Sequence, residues 1–274
     1  MTDATLAGEG FQLSAVDPRS TPGFQGDKAA GEAALKSGSG ELAELQEKLF
    51  AASTFGSERS VLLVLQAMDT AGKGGIVDHV LGETNPQGIK AYAFKAPTDE
   101  EKEHDFLWRI RPRVPGPGMI GVFDRSHYED VLIGRVRALA PADEIERRYG
   151  AINDFEKRVT DAGTRILKVM LHISPDEQRA RLEERLDRVD KHWKYNPGDV
   201  DERALWPQYM EAYQTVFDRT STDHAPWHVV PANRKWYARL AVQALLLETL
   251  EAIDPQWPAA TFDVEAEKVR LAAS

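Results

Sequence analysis

The chain has 274 residues, a formal net charge of −10 and 42% apolar residues, enough to fill one large core without a second domain. It has no cysteine, which excludes disulfides and thiolate metal sites and argues against a zinc or iron–sulfur role. The acidic net charge argues against general nucleic-acid binding. The N-terminus lacks a basic apolar leader, and no stretch approaches the roughly 20 apolar residues of a membrane span. We therefore expect a cytoplasmic enzyme that binds neither nucleic acid nor membrane.

The first part of the chain is rich in Gly, Ala, Ser and Pro. Residues 1 to about 40 therefore predict an extended N-terminal arm, and we expect residues 41–274 to form a single domain. Leucines at helical spacing predict that this domain begins with a short amphipathic helix over residues 41–52.

An apolar strand over residues 61–66 runs directly into a glycine-flanked lysine, Lys73, at the spacing of a phosphate-binding loop. Small residues let backbone N–H groups surround a phosphate, and the helix predicted from about Gly75 points its N-terminus at it. The substrate-binding residues predicted here are Thr70, Ala71, Gly72 and Gly74. Because Gly74 stands where a Ser or Thr normally holds Mg²⁺, another residue must hold the metal.

Two acids are candidates for that role. Asp69 lies inside the loop, where a carboxylate would repel phosphate unless a hard divalent cation lay between them. Asp124 ends the apolar run 119–123, at the strand tip where parallel sheets place ligands, and Arg125 follows it as a clamp for phosphoryl oxygens. The alternatives are that Asp69 merely caps the next helix and that Arg125 forms a structural ion pair with Asp124.

The remaining pattern alternates strands with helices, which predicts an α/β fold around a mostly parallel sheet. The predicted strands cover residues 89–95, 118–123, 166–173 and 227–230, and the predicted helices cover residues 99–111, 128–138, 141–161, a long helix from Pro175, 206–217 and 235–253. The apolar faces of the last two helices fit either the core or a subunit interface.

Residues 179–203, which we call the lid segment, carry repeated cations. Arg181, Arg185 and Arg188 share one helix face, and Lys191 and Lys194 follow. Cations on a hinged segment can close over phosphate and exclude water. The alternative is a solvated helix whose arginines pair with neighbouring acids.

Taken together, five motifs in order resemble the second family of polyphosphate kinases, from about Val16 to Ile253. They are LQAMDTAGKGG at 65–75, HDFLWR at 104–109, FDRSHYEDVL at 123–132, KHWK at 191–194 and PANRKWY at 231–237. The resemblance implies a P-loop kinase-like fold, a three-layer sandwich with a mostly parallel central sheet and a helical lid. It also implies Mg²⁺-dependent transfer of a terminal phosphoryl group from inorganic polyphosphate to a nucleotide, with Mn²⁺ as a substitute metal.

On matching positions, the resemblance assigns Asp69 and Lys73 to the loop, Asp124 and Arg125 to the second motif, and Arg185 with Lys191 and Lys194 to the lid. The residues themselves suggest the same catalytic set (Asp69, Lys73, Asp124, Arg125 and Arg185), with Asp69 and Asp124 as the metal ligands.

The sequence RSHYED around Glu129 resembles the subgroup that accepts both nucleoside mono- and diphosphates, whereas diphosphate-specific relatives tend to carry Trp-Tyr-Asn here. We therefore expect AMP and ADP as acceptors, with ADP and ATP as products of a reversible reaction. If this resemblance holds, we expect Glu129 to lie near the acceptor phosphates or the metal. The alternative is that Glu129 is a structural helix cap. Gly74, Gly75 and Arg111 depart from the usual family pattern, which leaves the affinity of the loop open.

Polyphosphate needs a basic groove, for which we consider Arg109, Arg111 and Arg113; the alternative is a solvated helix end. Two rival functions are an ATP-dependent nucleotide kinase and a polyphosphate- or nucleotide-binding module without turnover. Family members commonly form homodimers or homotetramers, so we expect a homo-oligomer.

Overall fold

The computed structural model describes all of residues 1–274 and has five parallel strands in the order β2-β3-β1-β4-β5. Parallel strands buried on both faces read as continuous apolar runs, as β1 does. The strands are β1 (Ser60–Gln66), β2 (Ile89–Ala93), β3 (Ile120–Asp124), β4 (Thr164–His172) and β5 (Trp227–Pro231). The expected mostly parallel α/β sheet is confirmed.

Ten α-helices connect and cover the strands. They are α1 (Lys28–Ser53), α2 (Lys73–Ile76), α3 (Asp99–Lys102), α4 (Ile133–Val136), α5 (Ala142–Asp161), α6 (Pro175–Asp187), α7 (Gly198–Arg203), α8 (Trp206–Thr220), α9 (Lys235–Ile253) and α10 (Val264–Ala272). No helix combines the length and the apolar character that a membrane crossing requires.

Two apolar cores, one on each sheet face, make the fold a three-layer sandwich. Side chains alternate across a strand, so Leu62 and Val64 join the core under α5 and α8, whereas Leu63 and Leu65 join the core under α1 and α9. The apolar faces of α8 and α9 lie in these cores, which confirms the core interpretation of both helices.

The extended arm predicted over residues 1–40 is wrong for residues 28–40, which form the first half of α1. Asp27 caps the helix by accepting from the N–H of Ala30 at 2.9 Å, and the alanines that follow favour helix. Gly31 and Gly38 do not break it because they face α9, where an added Cβ would lie 2.2 Å from Trp236 and 2.6 Å from Gln243. Glycine here permits close helix packing.

Residues 1–27 have no regular structure apart from turns, which include 3₁₀ turns at Asp3–Thr5 and Leu13–Ala15, and residues 6 and 7 pair with the free edge of β5. Leu6 forms an antiparallel bridge with His228, and the N–H of Ala7 donates to the carbonyl of Trp227 at 2.8 Å. The arm thereby covers a sheet edge that would otherwise expose unpaired backbone groups.

Two other predicted helices are wrong in extent. The helix expected over residues 99–111 ends at Lys102, because Asp105 accepts from the N–H of Leu107 at 3.1 Å and starts a separate turn. The helix expected over residues 128–138 is a 3₁₀ turn at His127–Asp130 followed by the single turn of α4, because His127 and Tyr128 are fully buried in a polar network described below.

Candidate active site

The phosphate loop, residues 67–74, joins the buried end of β1 to the start of α2. Thr70 and Gly72 both have left-handed backbone conformations, with φ of 68° and 112°. Gly72 adopts this conformation without a steric penalty, whereas at Thr70 it costs about 1–3 kcal/mol. A strained non-glycine residue persists only where its surroundings hold it, and this one lies beside Asp69.

Alternating charges line the floor of the cleft above the strand ends. Asp124 ends β3, and its Oδ1 lies 3.9 Å from the Nζ of Lys73. Asp69 Oδ1 accepts from Nη2 of Arg125 at 2.6 Å. The side chains of Asp69 and Asp124 keep 27% and 32% of their surface exposed, so a substrate or an ion can reach both.

Arg125 is held by its backbone as well as by its ion pair. Its φ is 64°, and its N–H donates to the carbonyl of Leu65 on β1 at 3.0 Å. Burial lowers the pKa of the guanidinium, but the charges of Glu129 and Asp69 outweigh this and raise it overall. The side chain stays 39% exposed, so a fixed positive charge faces the cleft.

Above the floor, Arg185 projects from α6 and is held within the lid segment. Its Nη1 donates to the carbonyl of Lys194 at 2.9 Å and lies 3.5 Å from Oδ2 of Asp199. Burial raises the pKa of Asp199 to about 6, and the charge of Asp69 adds to this effect. Asp199 therefore lies where an anionic substrate would compete with it for Arg185.

The cleft has a volume of about 610 Å³ and brings together most of the predicted site. The predicted residues that line it are Asp69, Thr70, Ala71, Gly72, Lys73, Gly74, Asp124, Arg125, Arg181, Arg185, Lys191 and Lys194. Whether these residues act in catalysis, and whether the lid segment moves, stay predictions.

Sequence reasoning missed several cleft cations. Lys235 and Arg239 occupy the first turns of α9, and Lys95 follows the end of β2. Lys95 could have been found by the rule that parallel sheets bind ligands at their carboxyl ends. Lys235 falls within the motif at residues 231–237, and Arg239 lies one helical turn further along α9, but neither has a predicted role because no local pattern shows that this face of α9 meets the phosphate loop.

The structure does not bring Arg109, Arg111 or Arg113 into the cleft. Arg109 is 9% exposed, its Nη1 donates to the carbonyl of Lys95 at 2.8 Å, and its guanidinium lies 5.6 Å from the ring centre of Phe94. Arg113 covers the ring of Tyr92 at 5.0 Å. These contacts occupy Arg109 and Arg113 in packing the segment after β2.

Arg111 and the lid arginines have other partners. Arg111 pairs with Asp105 at 3.4 Å, and Arg188 pairs with Glu184 and Asp190. The solvated-helix alternative therefore describes Arg188, whereas Arg185 faces the cleft.

Glu129 lies beside the main cleft, in a smaller cavity of about 50 Å³ that shares Asp69 and Arg125 with it. Its Oε1 accepts from Nε2 of Gln66 at 3.1 Å. Burial raises the pKa of Glu129, although Arg125 and Lys73 oppose the shift. Glu129 therefore lines the smaller cavity and not the main cleft, and Asp69 and Arg125 lie between the two.

A fully buried polar network anchors the segment between Arg125 and Glu129. Lys168 on β4 donates to Oε2 of Glu156 at 2.6 Å and to the hydroxyl of Tyr128 at 2.9 Å. Glu156 Oε1 lies 3.2 Å from Nε2 of His127 and accepts from the hydroxyl of Tyr128 at 2.8 Å. His127 and Tyr128 are therefore structural members of their motif, positioned by charges in the core.

The carboxylates at the cleft floor suit a hard metal cation that also binds phosphate. No group of three or more His, Asp or Glu side chains is close enough to hold a metal alone. Mg²⁺ usually takes one or two protein carboxylates and completes its coordination with water and substrate phosphates. Asp69 and Asp124, accessible at the cleft floor, fit that pattern.

Comparison with known proteins gives consistent results. A family profile described as polyphosphate kinase 2 (PPK2) matches residues 25–258. The chain is 46% identical to an AMP/ADP-polyphosphate phosphotransferase of Meiothermus ruber, over 90% of this chain and 91% of the relative. It is 41% identical to an ADP-polyphosphate phosphotransferase of Rhodopseudomonas palustris, over 80% of this chain and 79% of the relative. The crystal structure of polyphosphate kinase 2 from Arthrobacter aurescens TC1 superposes with a TM-score of 0.96 at 61% identity, covering 98% of this chain and 95% of that one.

Proposed function

This chain belongs to the polyphosphate kinase 2 family, and from that membership we propose that it transfers the terminal phosphoryl group of inorganic polyphosphate to AMP and to ADP, giving ADP and ATP. The observation that carries the proposal is the cleft itself, where Lys73, Arg125 and Arg185 surround two accessible carboxylates at the end of a parallel sheet. Such an arrangement suits binding of two polyanions and not hydrophobic substrates.

The reaction needs positioning and charge neutralisation more than base catalysis. A nucleotide phosphate has a second pKa of about 6, so the attacking oxygen is already ionised at neutral pH. Lys73 and the loop amides would hold phosphoryl oxygens, Arg125 would face the transferred group, and Arg185 would close on it from the lid segment. Asp69 and Asp124 then serve as metal ligands rather than bases.

Magnesium, with manganese as a substitute, would be held by Asp69 and Asp124. Bound there, the ion would neutralise phosphate charge and orient the phosphoryl oxygens for in-line transfer. Each carboxylate also balances a cation of the protein, Lys73 or Arg125, when no ion is present. This double role explains why acids can stand inside a phosphate site.

The acceptor class follows from the motif around Glu129 and from the relatives. The Meiothermus ruber relative is named for both AMP and ADP, whereas the Rhodopseudomonas palustris relative is named for ADP alone. We propose the broader specificity, with Glu129 close to the acceptor. Polyphosphate, which carries charge along its length, would extend past Lys235 and Arg239.

The test uses purified protein with Mg²⁺, long-chain polyphosphate and either AMP or ADP, with products resolved by chromatography. ATP formation from both acceptors is expected, and none without polyphosphate. ATP from ADP alone would contradict the acceptor class, and product formed only when ATP is the donor would contradict the donor. Binding without Mg²⁺-dependent product would indicate a non-catalytic module.

Two substitutions test the site within this assay. Lys73→Ala and Asp124→Ala should each reduce turnover to below a few per cent, because each removes a charge that faces the phosphates. Lys157→Ala, on the exposed face of α5, is the matched control and should keep full activity. Substantial activity in either site variant would remove that residue from the catalytic set.

The expected homodimer or homotetramer is also part of this proposal. Since α8 and α9 are buried in the cores, their apolar faces cannot form a subunit interface. Size-exclusion chromatography with light scattering would determine the mass in solution, and a monomer would contradict the expectation.

A further inference from the structure

Three consecutive carbonyl groups of the phosphate loop accept hydrogen bonds from one face of helix α6. The carbonyl of Asp69 accepts from Nε2 of Gln178 at 3.1 Å, and the carbonyls of Thr70 and Ala71 accept from Nη1 of Arg181 at 2.9 and 3.0 Å. Gln178 is 1% exposed and Arg181 is 5% exposed. This side of the loop is therefore attached to the base of the lid segment and shielded from water.

The remaining donors of Arg181 are also used. Its Nε donates to Glu177 at 2.7 Å, and its Nη2 donates to the carbonyls of Ala232 and Asn233 at 2.7 and 3.2 Å. A guanidinium has five N–H groups in a planar fork, and here the five contacts match that number. Lysine, with three donors on one nitrogen, could not bridge the same two backbone segments.

The direction of these bonds determines where the loop amides point. In a trans peptide the carbonyl of one residue and the N–H of the next are opposed across a plane. Because the carbonyls of Asp69 and Ala71 face α6, the N–H groups of Thr70 and Gly72 point away from it. The N–H of Ala71 makes a long bond of 3.3 Å to the carbonyl of Met68. The loop thus presents amides on the side opposite to α6.

We propose that Gln178 and Arg181 are positioning residues, which orient the peptide planes of the phosphate loop so that its N–H groups are set for phosphoryl oxygens before substrate binds. The inference rests on the proposed function for the identity of that phosphate. Arg181 is consequently not a lid cation that contacts substrate, as its spacing with Arg185 suggests, but a buried bridge between the loop and the segment after β5. It also keeps Thr70 in its left-handed conformation.

The first test compares Arg181→Gln and Arg181→Lys with Arg179→Gln. Arg179 lies on the same helix but is exposed and pairs with Glu183, so it is the matched control. We measure kcat and both KM values per folded molecule, with the folded fraction taken from thermal unfolding at the assay temperature. Tripolyphosphate binding by calorimetry gives a readout that does not depend on turnover.

Misplacing the loop should lower kcat/KM by about 100-fold in both Arg181 variants, since shifts of about 1 Å in a catalytic group have effects of that order. Tripolyphosphate affinity should fall with it, while Arg179→Gln stays within about twofold of wild type. Loss of activity only in proportion to the loss of folded protein would overturn the proposal, as would unchanged kinetics. Inactive wild-type protein would refute the proposed function instead.

Chemical rescue separates positioning from general stability. Arg181→Ala leaves a cavity of guanidinium shape, and guanidinium chloride at non-denaturing millimolar concentration should restore part of its kcat. The same salt should not raise the activity of Arg179→Ala or wild type. If Arg181→Ala does not fold, Gln178→Met provides a variant that removes one donor at nearly constant volume. Wild-type kcat/KM and tripolyphosphate affinity in Gln178→Met would contradict the role of Gln178.

Discussion

Replacement of Lys168 by methionine should destabilise the protein strongly, because it leaves Glu156 as an unpaired buried charge. Both side chains have no exposed surface, and the ion pair at 2.6 Å is completed by hydrogen bonds from Lys168 to Tyr128 and to the carbonyl of Thr220. Burial alone would raise the pKa of Glu156, but Lys168 and His127 outweigh it and hold the pKa below its ordinary value. The carboxyl group is therefore ionised in the native state.

The expected loss of unfolding free energy in Lys168→Met follows from this arrangement. Removing one partner of a buried pair typically costs about 3–5 kcal/mol, because the remaining charge keeps its desolvation penalty. The hydroxyl of Tyr128 and the ring of His127 still contact Glu156, so we expect the lower part of that range, about 3 kcal/mol. Adding Glu156→Gln to Lys168→Met should restore about 1–2 kcal/mol of the free energy of unfolding, since the uncompensated carboxylate charge is gone.

The assay is urea unfolding monitored by circular dichroism and tryptophan fluorescence, with the free energy of unfolding obtained for both single variants and the double variant. Lys157→Met is the control, because Lys157 and Asp161 form an exposed pair at 2.8 Å on α5, the helix that carries Glu156. Surface pairs contribute little, so its unfolding curve should match wild type. Two results would contradict the role of the buried pair. One is a loss of unfolding free energy in Lys168→Met as small as that in Lys157→Met, and the other is a further loss when Glu156→Gln is added.

Three further experiments test other parts of the structure. Gly31→Ala should lower the free energy of unfolding by about 1–3 kcal/mol, because the new Cβ would meet Trp236. Gly40→Ala should raise it by about 0.5–1 kcal/mol, because an added Cβ there has no atom within 4 Å and alanine favours helix. Equal effects of the two substitutions would contradict the role of packing at Gly31. Burial, the largest cause, raises the pKa of Asp130 to about 6 from 3.8, so the folded state holds its proton more tightly and stability falls as pH rises through about 4–6. Between pH 4 and pH 7, urea unfolding should show that the free energy of unfolding of Asp130→Asn rises by up to about 3 kcal/mol relative to that of wild type. If the stabilities of the two proteins change in parallel with pH, the shift in the pKa of Asp130 is excluded. Arg239→Gln should raise the KM for polyphosphate severalfold and leave the nucleotide KM unchanged in steady-state kinetics, and a reversed pattern would place the nucleotide on α9.

The fold class and the place of the phosphate loop after β1 could be predicted from the residues alone, and the fold class is confirmed. Continuous apolar runs that alternate with helical periodicity predict a mostly parallel sheet covered on both faces, and the residues at the ends of β1 and β3 then lie at its carboxyl edge. This rule places Asp69, Lys73 and Asp124 at one cleft, as the structure does, because each lies at or just after a strand end that can be recognised locally. The helix α9 was predicted with the bounds that the structure has.

Which cations face the cleft depends on tertiary packing. Arg109, Arg181 and Arg185 look alike in sequence. Packing buries the first against the residues that follow β2, uses the second to hold loop carbonyls and leaves the third facing the cleft. The same holds for the first half of α1, because the glycine-rich composition of residues 1–40 predicts an extended arm, whereas Gly31 and Gly38 allow the helix to pack closely against α9. The physical reason is that a hydrogen-bond partner or a steric limit far away in the chain decides each case, and no local pattern records it.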